Sequence, residues 1–99
     1  MKIFISQPMH NKTKVDILKE RSKIVSELQD KYGKNLEILY SIINSEDNDE
    51  IKNIPVWYLS RSIDLISKAD KVYFVKGWRN AKGCRIEHKI CEEYGIEIY

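Results

Sequence analysis

Short runs of β-branched and aromatic residues alternate along this 99-residue chain with longer segments in which apolar residues have a helical period. The short runs predict strands, and the unbroken apolar run 72–75 is typical of a strand covered on both faces. We expect this strand to lie at the centre of a sheet. The four predicted strands span residues 2–6, 36–40, 71–76 and 96–99.

Apolar residues that recur every three or four positions predict three helices between these strands. The first begins at Thr13, whose spacing from Asp16 is that of a capping box, and it ends at Gly33. Pro55 is expected as the first residue of the second helix, and Gly83 leads into the third. The apolar positions of the first helix are Val15, Leu18, Ile24, Val25, Leu28 and Tyr32, and those of the second are Leu59, Ile63, Ile66 and Ala69.

Strands that alternate with helices through short connections predict a single α/β domain over residues 1–99. We expect a flavodoxin-like three-layer sandwich with a short parallel sheet of strand order 2-1-3-4. In such a sheet the chain reverses direction between strands 1 and 3, and ligands bind outside the carboxyl ends of these strands. Segments 6–13 and 76–83 leave this edge and are rich in hydrogen-bonding side chains. The sequence therefore predicts a nucleotide-sized ligand site there.

Composition narrows the class of protein. Hydrophobic residues make up 42% and charged residues 32% of the chain, the balance of a soluble globular protein. The net charge of +2 argues against binding to a nucleic-acid polymer. No apolar run is long enough to span a membrane and the N-terminus does not resemble a signal peptide, so we expect a cytoplasmic location without a membrane partner. The acidic segment 44–53 is expected to be a solvated loop.

Glu87 is the strongest candidate for chemistry. It follows Gly83 by four residues, in the first turns of the third helix, where the helix dipole favours the carboxylate form. A positioned carboxylate can act as a nucleophile toward a sugar carbon or as a base, although Glu in a first turn also simply stabilises a helix. Ser6 could hold a phosphate or a ribose hydroxyl. Trp78 could stack on a nucleobase, cover the sheet or form a dimer contact.

Cys84, His88 and Cys91 form a stripe on the third helix. A zinc site needs three or four convergent ligands, and because the sequence has no second cluster we expect no metal. The cysteines lie about 10.5 Å apart along the helix axis, at about 1.5 Å per residue, which is too far for a disulfide. We expect both thiols to be reduced.

Three segments of the chain resemble the nucleoside 2-deoxyribosyltransferase-like superfamily, and within it a group of small bacterial and phage proteins. They are Phe4-Ile5-Ser6-Gln7-Pro8-Met9, Ser67-Lys68-Ala69-Asp70-Lys71-Val72-Tyr73-Phe74 and Gly83-Cys84-Arg85-Ile86-Glu87. The resemblance implies a flavodoxin-like fold, a homo-oligomer, no cofactor, and chemistry at the N-glycosidic bond of a nucleoside or nucleotide. It also implies that Glu87 is the nucleophile that attacks the anomeric carbon, with transfer of the sugar to another base or to water.

The resemblance further implies an acid that protonates the departing base. The superfamily's aspartate corresponds to Ser62 here, which leaves Asp64 as the candidate acid. Gln7 replaces a glycine of the superfamily, and we expect its larger side chain to enter the floor of the pocket. The predicted substrate-binding residues are Ser6, Gln7, Pro8, Met9, Gly77, Trp78, Asn80 and Gly83. The alternatives are a protein that binds or sequesters a nucleotide derivative without turnover, and a structural homo-oligomer whose pocket is filled by Gln7 and Trp78.

Overall fold

The computed structural model describes residues 1–41 and 49–99. Its strands form one parallel sheet in the order β2-β1-β3-β4, which confirms the predicted α/β fold and strand order. The elements are β1 (Lys2–Ser6), α1 (Lys14–Tyr32), β2 (Glu37–Leu39), α2 (Ile54–Ile66), β3 (Lys71–Phe74), α3 (Lys82–Tyr94) and β4 (Glu97–Ile98). Of the predicted acidic loop, residues 44–48 lie outside the described residues. Asp49 and Glu50 are exposed in a turn.

The central strand β1 is buried on both faces of the sheet, because its successive side chains point in opposite directions. Ile3 and Ile5 pack in the cluster that faces α1. Phe4 packs with Ile66 of α2 and Cys91 of α3. The sheet therefore separates α1 on one side from α2 and α3 on the other, as expected of a three-layer sandwich.

Side-chain caps fix where α1 and α2 begin. The Thr13 hydroxyl accepts a hydrogen bond from the Asp16 N–H at 3.1 Å, as the capping-box spacing predicts. Asn53 caps α2 in the same way by accepting from the Val56 N–H at 3.1 Å. Pro55 is the second helical residue and not the first.

The buried residues of α1 are only partly the apolar residues whose spacing predicts the helix. Val15 and Leu18, two of the apolar positions whose spacing predicts the helix, are 59% and 43% exposed. A charged residue, Arg21, occupies an inward position instead. The buried residues of α1 are Ile17, Arg21, Ile24 and Leu28. In the described part of the chain, no helix has the length and hydropathy needed to cross a membrane.

Candidate functional site

Glu87 and Ser6 meet at the carboxyl ends of the two central strands. The Ser6 hydroxyl donates a hydrogen bond to Glu87 Oε2 at 3.3 Å. Ser6 ends β1 and is paired in register with Phe74, which ends β3. The structure thus brings together two residues 81 positions apart in sequence, at the edge that the strand order predicts. Their chemical roles stay predictions.

The carboxyl group of Glu87 is almost fully shielded from water. Glu87 is 6% exposed and Ser6 is 1% exposed. Burial raises the pKa of Glu87 to about 7, and the hydrogen bond from Ser6 opposes this rise without cancelling it. Desolvation therefore dominates, whereas the helix dipole alone predicts an ionised carboxylate. A carboxyl with this pKa can both accept and donate a proton near neutral pH.

Cys84 lies one helical turn before Glu87 and is also buried. Burial raises the pKa of its thiol to about 11, with a lowering by the Ser6 hydroxyl and a further rise from Glu87. Such a thiol is neutral near pH 7 and is a poor nucleophile. Both cysteines are free. Within residues 1–41 and 49–99, no three His, Cys, Asp or Glu side chains are grouped to hold a metal ion.

Gln7 points toward α1, which corrects the expectation that it forms the floor of the pocket. Its Nε2 donates to the Ile17 carbonyl and to Glu20 Oε1, each at 2.9 Å. Its Oε1 accepts from Arg21 Nε at 3.3 Å. The amide is 6% exposed and uses both of its donor hydrogens on α1. Gln7 therefore connects the start of the loop to α1 by hydrogen bonds. Its side chain does not contact the Ser6–Glu87 pair.

The loop after Gln7 turns back toward α1. Pro8 and Met9 are half-buried, and the Met9 carbonyl accepts from the Lys12 N–H at 3.3 Å. Asn11 has a φ of 61°, in the left-handed region that Asn tolerates better than most residues. Pro8 and Met9 thus lie in the loop just after the carboxyl end of β1, the edge at which the sequence predicts the ligand site.

Trp78 packs against protein side chains in the loop after β3. Its indole stacks on the His88 ring with centroids 4.1 Å apart and planes 11° apart, and it lies 5.4 Å from the Phe74 ring. The Arg79 guanidinium lies 4.8 Å from the centre of the Trp78 ring. Of the interpretations of Trp78, these contacts favour a side chain that covers the protein interior.

An open cleft of about 570 Å³ lies beside this loop. Gly77, with a left-handed φ of 94°, starts the turn that carries Trp78 and Asn80 along the cleft. Lys76 and Arg79 add two cationic side chains to its lining. The structure therefore places Gly77, Trp78 and Asn80 together, while Glu87 is not part of the lining.

Asp64 and Gly83 have different surroundings. Asp64 lies on α2 with its side chain 61% exposed, and its carboxylate is 3.3 Å from Lys68 Nζ. Among the described residues, its carboxylate pairs with Lys68 and has no recorded contact with Glu87. Gly83 lies in the first turn of α3, and apart from its chain neighbours and the backbone of the helix itself no heavy atom lies within 4 Å of the position that a Cβ would occupy. The space beside Gly83 is open, on the helix face that it shares with Glu87.

The buried Arg21 is the residue at this edge of the sheet that sequence reasoning missed. The sequence feature that indicates its burial is its position, four residues after Ile17 and three before Ile24. This is the spacing of residues on one inward face of a helix. Because the residue is charged, a search for apolar positions passes over it. The structure shows that it is 6% exposed and bonded to Gln7.

Comparison with known proteins gives a family without an assigned activity. A family model described as a domain of unknown function (DUF4406) matches residues 1–99, the whole length of the chain. No curated protein and no solved structure matches the chain. A functional conclusion therefore rests on the geometry of the site and on the resemblance of its motifs.

Proposed function

We propose a function for this chain, which belongs to the DUF4406 family: it acts on the N-glycosidic bond of a nucleoside or nucleotide, with Glu87 as the nucleophile. The observation that carries the proposal is the buried contact of 3.3 Å between Glu87 and Ser6 at the carboxyl end of β1. Ligands of parallel α/β sheets bind at this edge. The reaction class comes from the resemblance to the nucleoside 2-deoxyribosyltransferase-like superfamily.

In this proposal the reaction proceeds in two displacements. An ionised Glu87 oxygen attacks the anomeric carbon, the carbon–nitrogen bond breaks with its electron pair on the base, and the base takes up a proton. Water or a second base then attacks the same carbon and releases the Glu87 carboxylate, which gives overall retention of configuration. Ser6 donates its hydrogen bond to the Glu87 carboxylate and thereby favours the ionised form.

The source of the proton for the departing base is the least supported part of the mechanism. Asp64 was the candidate acid, but its exposed carboxylate pairs with Lys68 on the surface of α2. We therefore propose that water supplies this proton. Asp64→Asn is then expected to leave turnover within about twofold of the wild type.

The surroundings of Glu87 also suggest how a ligand reaches it. The open space beside Gly83 lies one helical turn from Glu87, on the same face of α3. We propose that the sugar approaches from this side, with a displacement of the side chains that now cover Glu87. Lys76 and Arg79 in the neighbouring cleft would then bind the phosphate of a nucleotide.

The test is base release from a panel of ribo- and deoxyribonucleosides and their 5′-monophosphates, followed by liquid chromatography. We expect wild-type turnover of at least one compound, and a loss of about 10³-fold or more in Glu87→Gln, because the amide cannot act as the nucleophile. Glu93→Gln is the matched control, since Glu93 lies on the same helix with its side chain 59% exposed. Equal release by Glu87→Gln and wild type, or no release from any compound, would contradict the proposal.

Binding of a nucleotide derivative without turnover is the second candidate function. The pKa of about 7 favours it, because part of the Glu87 population is protonated at neutral pH and cannot attack carbon. In this case the same panel should raise the Tm of the protein without forming product. Glu87→Gln, which mimics the protonated form, should then retain binding.

The remaining parts of the proposal concern partners and location. We propose a homo-oligomer, because α2 exposes several apolar side chains, and a cytoplasmic location with no nucleic-acid polymer as partner. The exposed apolar residues of α2 are Ile54, Val56 and Ile63, at 50%, 58% and 37% exposure.

A further inference from the structure

Ser6 and Gln7 are consecutive residues at the end of β1, and their side chains contact opposite layers of the fold. The Ser6 hydroxyl donates to Glu87 Oε2 of α3 at 3.3 Å. The Gln7 amide is hydrogen-bonded to α1. This division follows from the alternation of side chains along an extended chain. A single peptide unit therefore links the Glu87 site to the helix on the other face of the sheet.

Three hydrogen bonds hold the Gln7 amide on α1. Its Nε2 donates to the Ile17 carbonyl and to Glu20 Oε1, each at 2.9 Å, and its Oε1 accepts from Arg21 Nε at 3.3 Å. Because the donors and the acceptor are engaged at the same time, only one orientation of the amide satisfies all three partners. Gln7 is buried, and hydrogen bonds shielded from water are electrostatically stronger. The residue that follows Ser6 is thus fixed in position.

Two of the partners of Gln7 are themselves held in place. Lys12 Nζ lies 3.1 Å from Glu20 Oε1. Arg21 Nη2 donates to Ser41 Oγ at 2.7 Å. The network therefore extends from the loop after β1, across α1, to Ser41 beyond the end of β2. Connected hydrogen bonds of this kind rigidify the groups that they join.

The hydrogen bond between Ser6 and Glu87 is sensitive to small displacements of Ser6. Its length of 3.3 Å exceeds the usual range of about 2.5–3.0 Å between two oxygens, so a modest further displacement takes Ser6 out of bonding distance. The Ser6 carbonyl accepts from the Val75 N–H at 2.9 Å, which holds Ser6 to the neighbouring strand. Along the chain, the side chain of Gln7 is the following anchor. The position of Ser6 therefore depends on both.

We propose that Gln7 is a positioning residue for Glu87, which holds the end of β1 so that the Ser6 hydroxyl points at the Glu87 carboxyl. This role rests on the proposed function, in which an ionised Glu87 attacks the sugar. Donation by Ser6 lowers the pKa of Glu87, in opposition to burial. If the bonds of Gln7 are lost, Ser6 withdraws, the pKa rises further and a smaller fraction of Glu87 is ionised at neutral pH.

The test is a ¹³C NMR titration of the Glu87 carboxyl carbon, from about pH 4.5 to about pH 9, in protein labelled with δ-¹³C-glutamate. Glu87→Gln identifies the signal, because this variant lacks the carboxyl. Ser6→Ala should raise the midpoint by about one pH unit, the effect of one charge-assisted hydrogen bond. Gln7→Met, which has a similar length but lacks the amide, should raise it by roughly half as much.

A double substitution shows whether the effect passes through Ser6. Once Ser6 is replaced, Gln7 has no hydroxyl to position, so Ser6→Ala combined with Gln7→Met should have the same midpoint as Ser6→Ala alone. Ile24→Val is the matched control, since it removes one buried carbon from α1 and leaves the hydrogen bonds of Gln7 in place. It should lower the free energy of unfolding without moving the midpoint. Each of these substitutions replaces a neutral residue by a neutral one, so no new charge acts on Glu87.

Gln7→Asn keeps the test decisive if Gln7→Met does not fold. Its amide is one carbon shorter and cannot reach all three partners, so the midpoint should again rise. An unchanged midpoint in the Gln7 variants, a rise that persists undiminished in the Ser6→Ala background, or an equal rise in Ile24→Val would overturn the proposal. Because the titration needs no substrate, a shifted midpoint without any turnover contradicts the proposed reaction alone. Turnover with an unshifted midpoint contradicts the positioning role alone.

Discussion

Among single residues, Glu87 combines a buried position with an ionisable group, and this has a measurable effect on stability. Its pKa is about 7 in the folded protein, against an ordinary value of 4.5. Between these pH values the folded state binds more protons than the unfolded state, so the free energy of unfolding falls as pH rises from about 4.5 to about 7. At about 1.4 kcal/mol per pH unit, the whole decrease is about 3 kcal/mol.

Glu87→Gln tests this effect. The variant lacks the buried ionisable group, so it should be more stable than the wild type at pH 8 by about 2–3 kcal/mol, with a difference that shrinks toward pH 4.5. Urea denaturation at several pH values measures it, and comparison of the two proteins cancels the titration of other groups. Glu93→Gln, on the exposed face of α3, should follow the wild type. A difference between wild type and Glu87→Gln that is independent of pH would contradict the elevated pKa.

The proximity of Ser6 and Glu87 could be predicted from sequence, whereas the direction of Gln7 could not. Strand order and strand ends determine which residues reach the switch point, and both follow from the alternation of elements. The direction of the Gln7 side chain depends instead on its hydrogen-bond partners on α1. These are the Ile17 carbonyl, Glu20 and Arg21. A hydropathy pattern contains no information about such hydrogen bonds.

At the scale of elements, Gly83 in the first turn of α3 and Gly95 at its C-cap have different backbone conformations. Gly95 ends the helix with a φ of 67°, whereas Gly83 has helical geometry and open space around the position of a Cβ. Gly95→Ala should therefore lower the free energy of unfolding by about 1 kcal/mol, because alanine is strained in the left-handed region. Gly83→Ala should raise it by about 0.5–1 kcal/mol, because alanine favours the helix.

Each of these variants serves as the control for the other in thermal or urea denaturation. If the sugar approaches Glu87 past Gly83, Gly83→Ala should weaken ligand binding even though it stabilises the fold. Gly95→Ala should leave binding unchanged. A loss of stability in Gly83→Ala would show that the space beside this glycine is not open.

The helix boundaries were easier to predict than the helix faces. Caps such as Thr13 and Asn53 act within one turn, and the residues that form them are adjacent in sequence. The face that a helix buries depends on the surface against which it packs. On α1 the apolar residues Val15 and Leu18 are exposed and the charged Arg21 is buried, so hydrophobicity alone does not identify the N-terminal half of the buried face.

At the scale of the whole molecule, the two helical layers differ in how much apolar side chain they expose. On one face, α1 packs over β1 and β3 with four buried residues. On the other face, Ile66 is the buried residue of α2. Three apolar side chains of α2, those of Ile54, Val56 and Ile63, are exposed to solvent. Such a surface, when it is continuous, marks contacts between proteins, and a second copy of this chain is the partner that the resemblance implies.

Size-exclusion chromatography with light scattering tests whether α2 forms this contact. We expect the wild type to have a mass above the 11.7 kDa of one chain. Val56→Asp combined with Ile63→Asp should shift it to the monomer, because burial of an unpaired carboxylate in an apolar contact costs several kcal/mol. Val15→Asp is the matched control, since Val15 is 59% exposed on the opposite layer. A monomeric wild type, or an oligomer that survives the double substitution and is lost in Val15→Asp, would show that α2 is not the contact.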